Sequence, residues 1–203
     1  MTNIERMQQG RVYNPDEPEL MQQQIIAQEK NDDYNALTRS DFKGRTQLLK
    51  EMFAEMGTDC MIEIPFYANW GGQHVHFGNR VYVNFNLTLV DDGDIFVGDY
   101  TMFGPNVTIA TAGHPVYPPL RSEKHYQFNK SVHIGKNVWL GANVTVLPGV
   151  TIGDNTVIGA GSVVIKDLPA NVVAVGTPCK VLRPIGQHDH DYFYKGEKLD
   201  IWS

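Results

Sequence analysis

The sequence predicts a mainly β protein, a solenoid of short parallel strands entered through an N-terminal α-helical segment. Two observations carry that prediction. From Ile134 an aliphatic residue recurs every six positions, at Ile134, Leu140, Val146, Ile152, Ile158 and Val164. Upstream, Phe42, Leu48, Leu49, Met52, Phe53 and Met56 fall mostly three or four apart, the spacing of one helix face. A six-residue period suits neither a helix nor the two-residue alternation of a hairpin sheet. It suits short extended segments joined by turns, each placing an aliphatic side chain inward and stacking on the next coil.

The elements follow in chain order. The turn Asn14-Pro15-Asp16-Glu17-Pro18 can open a helix, with Asp16 as its cap and the early acids suiting the helix dipole. Leu20, Ile26, Ala27 and Tyr34 give a loose helical pattern, a second helix runs from Phe42, and Gly57 is placed to end it. The periodic register then appears at Phe77, Val83 and Leu89, and resumes at Val97, Phe103 and Ile109 after a two-residue insertion. In the later repeats Val138, Val144, Val150, Thr156, Ser162 and Leu168 stand four positions beyond each aliphatic. Asn137, Asn143, Asn155 and Gly161 tolerate the left-handed backbone of tight corners. The 25-residue gap from Ile109 to Ile134 is one more than four units, so it contains an irregular loop, at about 115–131. The organisation expected is a helical segment over 1–58, a solenoid over 59–185 and a C-terminal tail over 186–203.

Composition narrows the function. The 203 residues are 42% hydrophobic and 20% charged with net charge −6, which excludes global disorder and a general nucleic-acid binder. No apolar run approaches the roughly 20 residues of a membrane helix, and the polar start is no signal peptide. Cys60 and Cys179, 119 positions apart, indicate neither a disulfide framework nor a cysteine zinc site; the expected compartment is the reducing cytoplasm. Charge is unevenly spread: residues 59–120 hold six acids and one base, whereas 121–183 hold seven bases and three acids. That cationic stretch suits an anionic ligand smaller than a polynucleotide, or is simply a solvated basic face.

The hexads resemble those of the hexapeptide-repeat acyltransferases. More narrowly, Lys50-Glu51-Met52-Phe53, Asn84-Phe85-Asn86, Asp91-Asp92, Gly113-His114-Pro115, Pro148-Gly149-Val150-Thr151-Ile152-Gly153 and Gly176-Thr177-Pro178-Cys179 resemble the maltose and galactoside O-acetyltransferases over nearly the whole chain. The resemblance implies a left-handed parallel β-helix, a departure from the usual right-handed crossover. It implies a homotrimer with sites between subunits, and acetyl-CoA as cosubstrate without a required metal. The acceptor implied is a sugar hydroxyl of maltose, glucose or galactoside type.

The candidate residues follow from that chemistry. A sugar hydroxyl is a poor nucleophile, and a base near neutral pKa can take its proton as the thioester is attacked. His114, held extended by Pro115 where the repeat breaks, matches the family's catalytic histidine. Ala142 matches the position whose backbone N–H meets the oxyanion, although its serine hydroxyl is lost here. Asp16, Asn69, Tyr82, Asn84 and Asp92 match acceptor-side positions, with Asn84 also toward the cofactor. Each has a structural alternative: a helix cap for Asp16, an asparagine ladder for Asn84, an acidic turn for Asp92. Trp139, Ala160, Lys166, Lys180 and Arg183 match the coenzyme A end, where cations suit phosphates; Trp139 could equally be surface packing. The sequence departs from the family at Gln22-Gln23-Gln24, where an acceptor-binding arginine is often found, and at Asn69 or Trp70. His74 and His76, two apart on a strand, suggest a rival zinc-dependent hydratase. A non-catalytic binding solenoid is the third class.

Overall fold

Two side chains per hexad turn inward, and that sets the architecture. The inward residues from Phe77 to Val164 are all at most 4% exposed, and the residues four positions on, from Val81 to Leu168, are buried with them except Gly93 and Gly113, which stand at the insertions. Each full side chain so buried stabilises the fold by about 1.5–3 kcal/mol. The computed structural model describes residues 1–201. It is the expected left-handed parallel β-helix, a prism with three sheet faces. The first face stacks Glu55–Met56, Val75–Phe77, Ile95–Val97, Val132–Ile134 and Thr151–Ile152. Met61–Ile62, Tyr82–Val83, Met102–Phe103, Trp139–Leu140, Val157–Ile158 and Val172–Val175 form the second. Phe66–Ala68, Leu87–Val90, Thr108–Ala110, Thr145–Val146 and Val163–Val164 form the third.

The corners are built by residues that accept positive φ. Between the second and third faces, Asn86, Asn106 and Asn143 sit at φ 58–62°. Between the first and second, Asn137, Asn155 and Asn171 sit at φ 53–60°, and their side-chain amides form a ladder of 3.0 and 2.9 Å hydrogen bonds. Asparagine suits these places because its short polar side chain offsets the left-handed penalty.

One coil precedes the periodic stretch. Its strands, Glu55–Met56, Met61–Ile62 and Phe66–Ala68, continue the six-residue spacing at Met56, Ile62 and Ala68. The helix expected to reach Gly57 therefore stops earlier. The three N-terminal helices are α1 (Asn3–Gln8), α2 (Pro18–Ala36) and α3 (Phe42–Met52). At Phe53 the backbone turns extended, and its ring packs edge-on against Phe66 and Phe77 at 6.0 and 5.2 Å. Nor is Asp16 a cap: Glu17 occupies that position before α2, with Pro18 in the first turn and no side-chain capping bond.

Helix α2 closes the open edge of the third face. Asn35 accepts from the Phe66 N–H (3.0 Å) and donates to its carbonyl (2.7 Å), and Asn31 accepts from the Ala68 N–H (3.0 Å). These amides stand in for the missing neighbour strand, which removes an exposed edge. Tyr34, fully buried, donates to the Ile62 carbonyl at 2.7 Å, and Arg45 bonds the same carbonyl and the Tyr34 hydroxyl. At the other end Lys180–Pro184 folds back antiparallel on Val172–Val175, followed by a short helix at Gln187–Asp191. Among the described residues no helix is long and apolar enough to cross a membrane.

Replacing Asn35 by leucine leaves the Phe66 N–H and carbonyl without their bonds. Denaturant unfolding should show a loss of about 1–3 kcal/mol, whereas alanine at the exposed Gln47 should change stability by less than about 0.5 kcal/mol.

Candidate active site

The repeat is broken at one corner, between the third and first faces. There Ala112–Gly113 leaves the prism and pairs antiparallel with Phe128–Asn129, and His114 opens the loop between them. The loop contains a short helix at Pro118–Ser122. The His114 ring is exposed, and Nδ1 lies 2.9 Å from the Tyr126 carbonyl oxygen. A carbonyl only accepts, so Nδ1 carries the proton. The neutral ring therefore presents a basic lone pair at Nε2.

Behind this loop lies a closed ring of polar side chains. Gln127 Nε2 donates to Asp92 Oδ1 (2.8 Å) and to the Tyr13 hydroxyl (2.6 Å). Tyr13 donates to Asn129 Oδ1 (3.4 Å), and Asn129 Nδ2 donates to the Asp92 backbone carbonyl (2.7 Å). All four are buried, and burial pushes the Tyr13 hydroxyl well above its ordinary range, so it remains a donor. Asp92 also accepts from Asn69 Nδ2 (2.9 Å) and Trp70 Nε1 (3.2 Å). Asn69 and Asp92 thus meet each other directly. Beside them Asp91 is fully buried, accepting from the Trp70 and Gly72 N–H groups at 2.7 and 2.9 Å. Desolvation outweighs those bonds and pushes its carboxyl up to about 6. Asp16 reaches the loop through its Oδ2, 2.8 Å from His125 Nδ1.

The other predicted residues lie elsewhere on the prism. Tyr82 and Trp139 project from the second face, Trp139 about half exposed. Asn84, Ala142 and Ala160 lie on the corner between second and third faces, Ala142 and Ala160 on successive coils. Asn84 accepts from the Phe85 N–H at 2.8 Å, so its oxygen shapes its own turn and no asparagine ladder runs through it. Among the described residues the Ala142 and Ala160 N–H groups have no acceptor within the chain. Lys180 and Arg183 are exposed on the returning strand, Arg183 in a two-pronged pair with Asp189 at 2.7 and 2.6 Å. Lys166 is exposed on the third–first corner, above His114. One chain therefore brings Asp16, Asn69, Asp92 and His114 to one corner, and Tyr82, Asn84, Trp139, Ala142 and Ala160 to another corner and the face that leads into it.

Sequence reasoning passed over Tyr13, His125, Tyr126, Gln127 and Asn129. Gln127-Phe128-Asn129 does carry a signal, two amides flanking an aromatic with the alternation of a strand. Tyr13 carries none, since its partners are over 110 positions away. The two histidines of the zinc reading do not converge. His74 donates to the Asp91 carbonyl at 2.6 Å, while His76 lies between Glu55 and Asp94 at 3.2 and 3.3 Å, stacked on Phe96. Among the described residues no three metal-binding side chains cluster. Burial pushes both cysteine thiols up, and neither stands near His114.

The prism and its insertion define a class. The family model "Bacterial transferase hexapeptide (six repeats)" matches residues 131–166, and "Maltose acetyltransferase hexapeptide capping motif" matches residues 6–57. A galactoside O-acetyltransferase of Lactococcus lactis is 51% identical, over 99% of this chain and 97% of its own. A solved galactoside acetyltransferase in complex with coenzyme A superposes with TM-score 0.93 at 40% identity, covering 98% of this chain and 99% of that one. A maltose O-acetyltransferase from Clostridium difficile superposes at 0.88 with 36% identity, covering 92% and 99%. The chain belongs to the galactoside and maltose O-acetyltransferase family of hexapeptide-repeat transferases.

Carbon NMR of the Asp91 carboxyl should give a midpoint near 6 against the ordinary 3.8. Because the folded value is raised, this group's contribution to stability is full below pH 3.8 and is lost as pH rises through about 6. A midpoint near the ordinary value would mean that water reaches the carboxylate.

Proposed function

We propose that this chain moves the acetyl group of acetyl-CoA to a sugar hydroxyl by direct transfer, with His114 as general base. The observation that carries the proposal is the Nδ1–H bond to the Tyr126 carbonyl, which fixes the tautomer with Nε2 free to accept a proton. The acceptor hydroxyl gives its proton to Nε2 as its oxygen bonds to the thioester carbon. The resulting tetrahedral oxyanion is met by an N–H donor, for which Ala142 is the candidate. The carbon–sulfur bond then breaks, and the imidazolium returns the proton to the departing thiolate. Histidine ends neutral, with the ester and free coenzyme A as products.

Ala142 and His114 lie on different corners of one prism. A site using both takes them from two copies, which supports the homotrimer. On this reading Asp16, Asn69 and Asp92 face the acceptor from one subunit, while Tyr82 and Asn84 face it from the neighbour. Trp139 and Ala160 flank the pantetheine arm, and Lys166, Lys180 and Arg183 meet the phosphates. The cosubstrate and the galactoside or maltose class of acceptor are supported by the relatives' names and by the coenzyme A complex.

Acetyl-CoA turnover against a panel of sugars, read by thiol release, tests the reaction itself; no acetylated product from any galactoside, maltose or glucose would reject it. In that assay His114→Ala should lower kcat by about 10²–10⁴-fold and leave the acetyl-CoA dissociation constant unchanged. A variant that folds and keeps more than about a tenth of wild-type kcat, against that expected loss, would show that His114 is not the base. Replacing Lys166 and Lys180 by alanine should weaken coenzyme A more than dephospho-coenzyme A, and more at low salt. Equal losses for both would remove the 3′-phosphate from their role.

A further inference from the structure

We infer that Gln127 and Tyr13 are positioning residues for His114, because together they fix the peptide whose carbonyl holds its ring. The inference rests on the proposed role of His114 as the base. The Tyr126 carbonyl and the Gln127 N–H belong to one trans peptide, so they point in opposite directions. The Gln127 N–H donates to the Tyr13 carbonyl at 3.0 Å, and the Tyr13 N–H returns a bond to the Gln127 carbonyl at 2.8 Å. Drawing the N–H toward Tyr13 aims the Tyr126 carbonyl outward, at His114 Nδ1, 2.9 Å away. Among the described residues that carbonyl is the one hydrogen-bond partner of the exposed His114 ring.

The side chains lock the same peptide a second time. Gln127 has two amide hydrogens, and both are used, on Asp92 and on the Tyr13 hydroxyl. Tyr13 cannot shift freely, since its ring is 2% exposed among Met7, Leu20 and Trp70. The ring of four polar groups also fixes direction: amide to hydroxyl, hydroxyl to amide oxygen, amide to backbone carbonyl. Apolar side chains of similar size would hold a loop down as well or better. A directed polar ring adds one thing that they lack, a single peptide orientation. Tyr13 thereby acts on the reacting group through the Tyr126 carbonyl.

The test is a double-mutant cycle on the full-length protein. Gln127→Met keeps the volume and removes both donors; Tyr13→Phe keeps the ring and removes the hydroxyl. In the wild-type background Gln127→Met should lower kcat by about 10- to 10²-fold with the KM for acetyl-CoA unchanged, and Tyr13→Phe should act in the same direction but less. In the His114→Ala background both effects should vanish. Nitrogen-15 NMR of the His114 ring should show the Nδ1–H tautomer in the wild type and a mixture with Nε2–H in the variants. An equal fold-loss with and without His114, or an unchanged tautomer, overturns the inference. If His114→Ala itself leaves kcat intact, the base assignment is what fails, and the tautomer populations then decide the positioning role by themselves. Should Gln127→Met not fold, Tyr13→Phe carries the same cycle.

Discussion

The constraint on which the rest depends is the phase of the hexad. A three-faced prism closes only if each face receives its inward side chain six residues after the last. From Met56 to Val164 that spacing holds at every passage from first to second face and from second to third. Departures occur at the third–first corner alone: nine residues from Ala68 to Phe77, eight from Leu89 to Val97, 25 from Ile109 to Ile134. Extra residues cannot enter a packed interior, so they leave it as loops. Three stacked insertions on one corner are what collect Asn69, Asp92 and His114.

How legible the molecule was follows from the same constraint. The hexads read directly because one inward position of each is a large apolar residue and many corners carry asparagine or glycine. The first coil was only partly legible because the Asn69–His74 insertion resets the phase before Phe77, so Met56 read as the end of a helix, while Ile62 and Ala68 fell within the expected solenoid without a visible repeat. Phe53 and Met56 misled for a related reason: both are buried or nearly so, but against strands and not along a helix face. His114 was legible as a histidine–proline pair at the break in phase. Its support was not, since Tyr13 and Gln127 meet across 114 positions through hydrogen bonds that leave no periodic trace.

Electrostatics divide the molecule in a way that the segment charges only half revealed. The acidic second quarter concentrates Asp91, Asp92 and Asp94 at the insertions, where Asp91 and Asp92 are buried and fully bonded. Those two carboxylates organise loops before they can meet a ligand. The cations of the third quarter are exposed by contrast: Lys136 pairs with Asp99 at 3.3 Å, while Lys166 and Lys180 stand in solvent. A solvated basic face and a phosphate site look alike in sequence. Arg183 is already held by Asp189, so it can meet a phosphate only by sharing or leaving that partner.

The two ends of the proposed site are thus made by different means. The cofactor end uses regular corners, where Ala142 and Ala160 offer backbone N–H groups that side-chain substitution does not remove. The acceptor end draws mainly on insertions and the N-terminal arm, where Asp16, Asn69 and Asp92 are side chains on irregular segments, with Tyr82 and Asn84 added from a regular coil. Changes such as Asn69 in an insertion, or glutamine at 22–24 in helix α2, lie outside the coils and do not disturb the phase of the prism. Chemistry held by backbone at regular corners can persist while the acceptor surface changes around it. On this division the departures from the family bear on which sugar is chosen and leave the acyl transfer itself untouched.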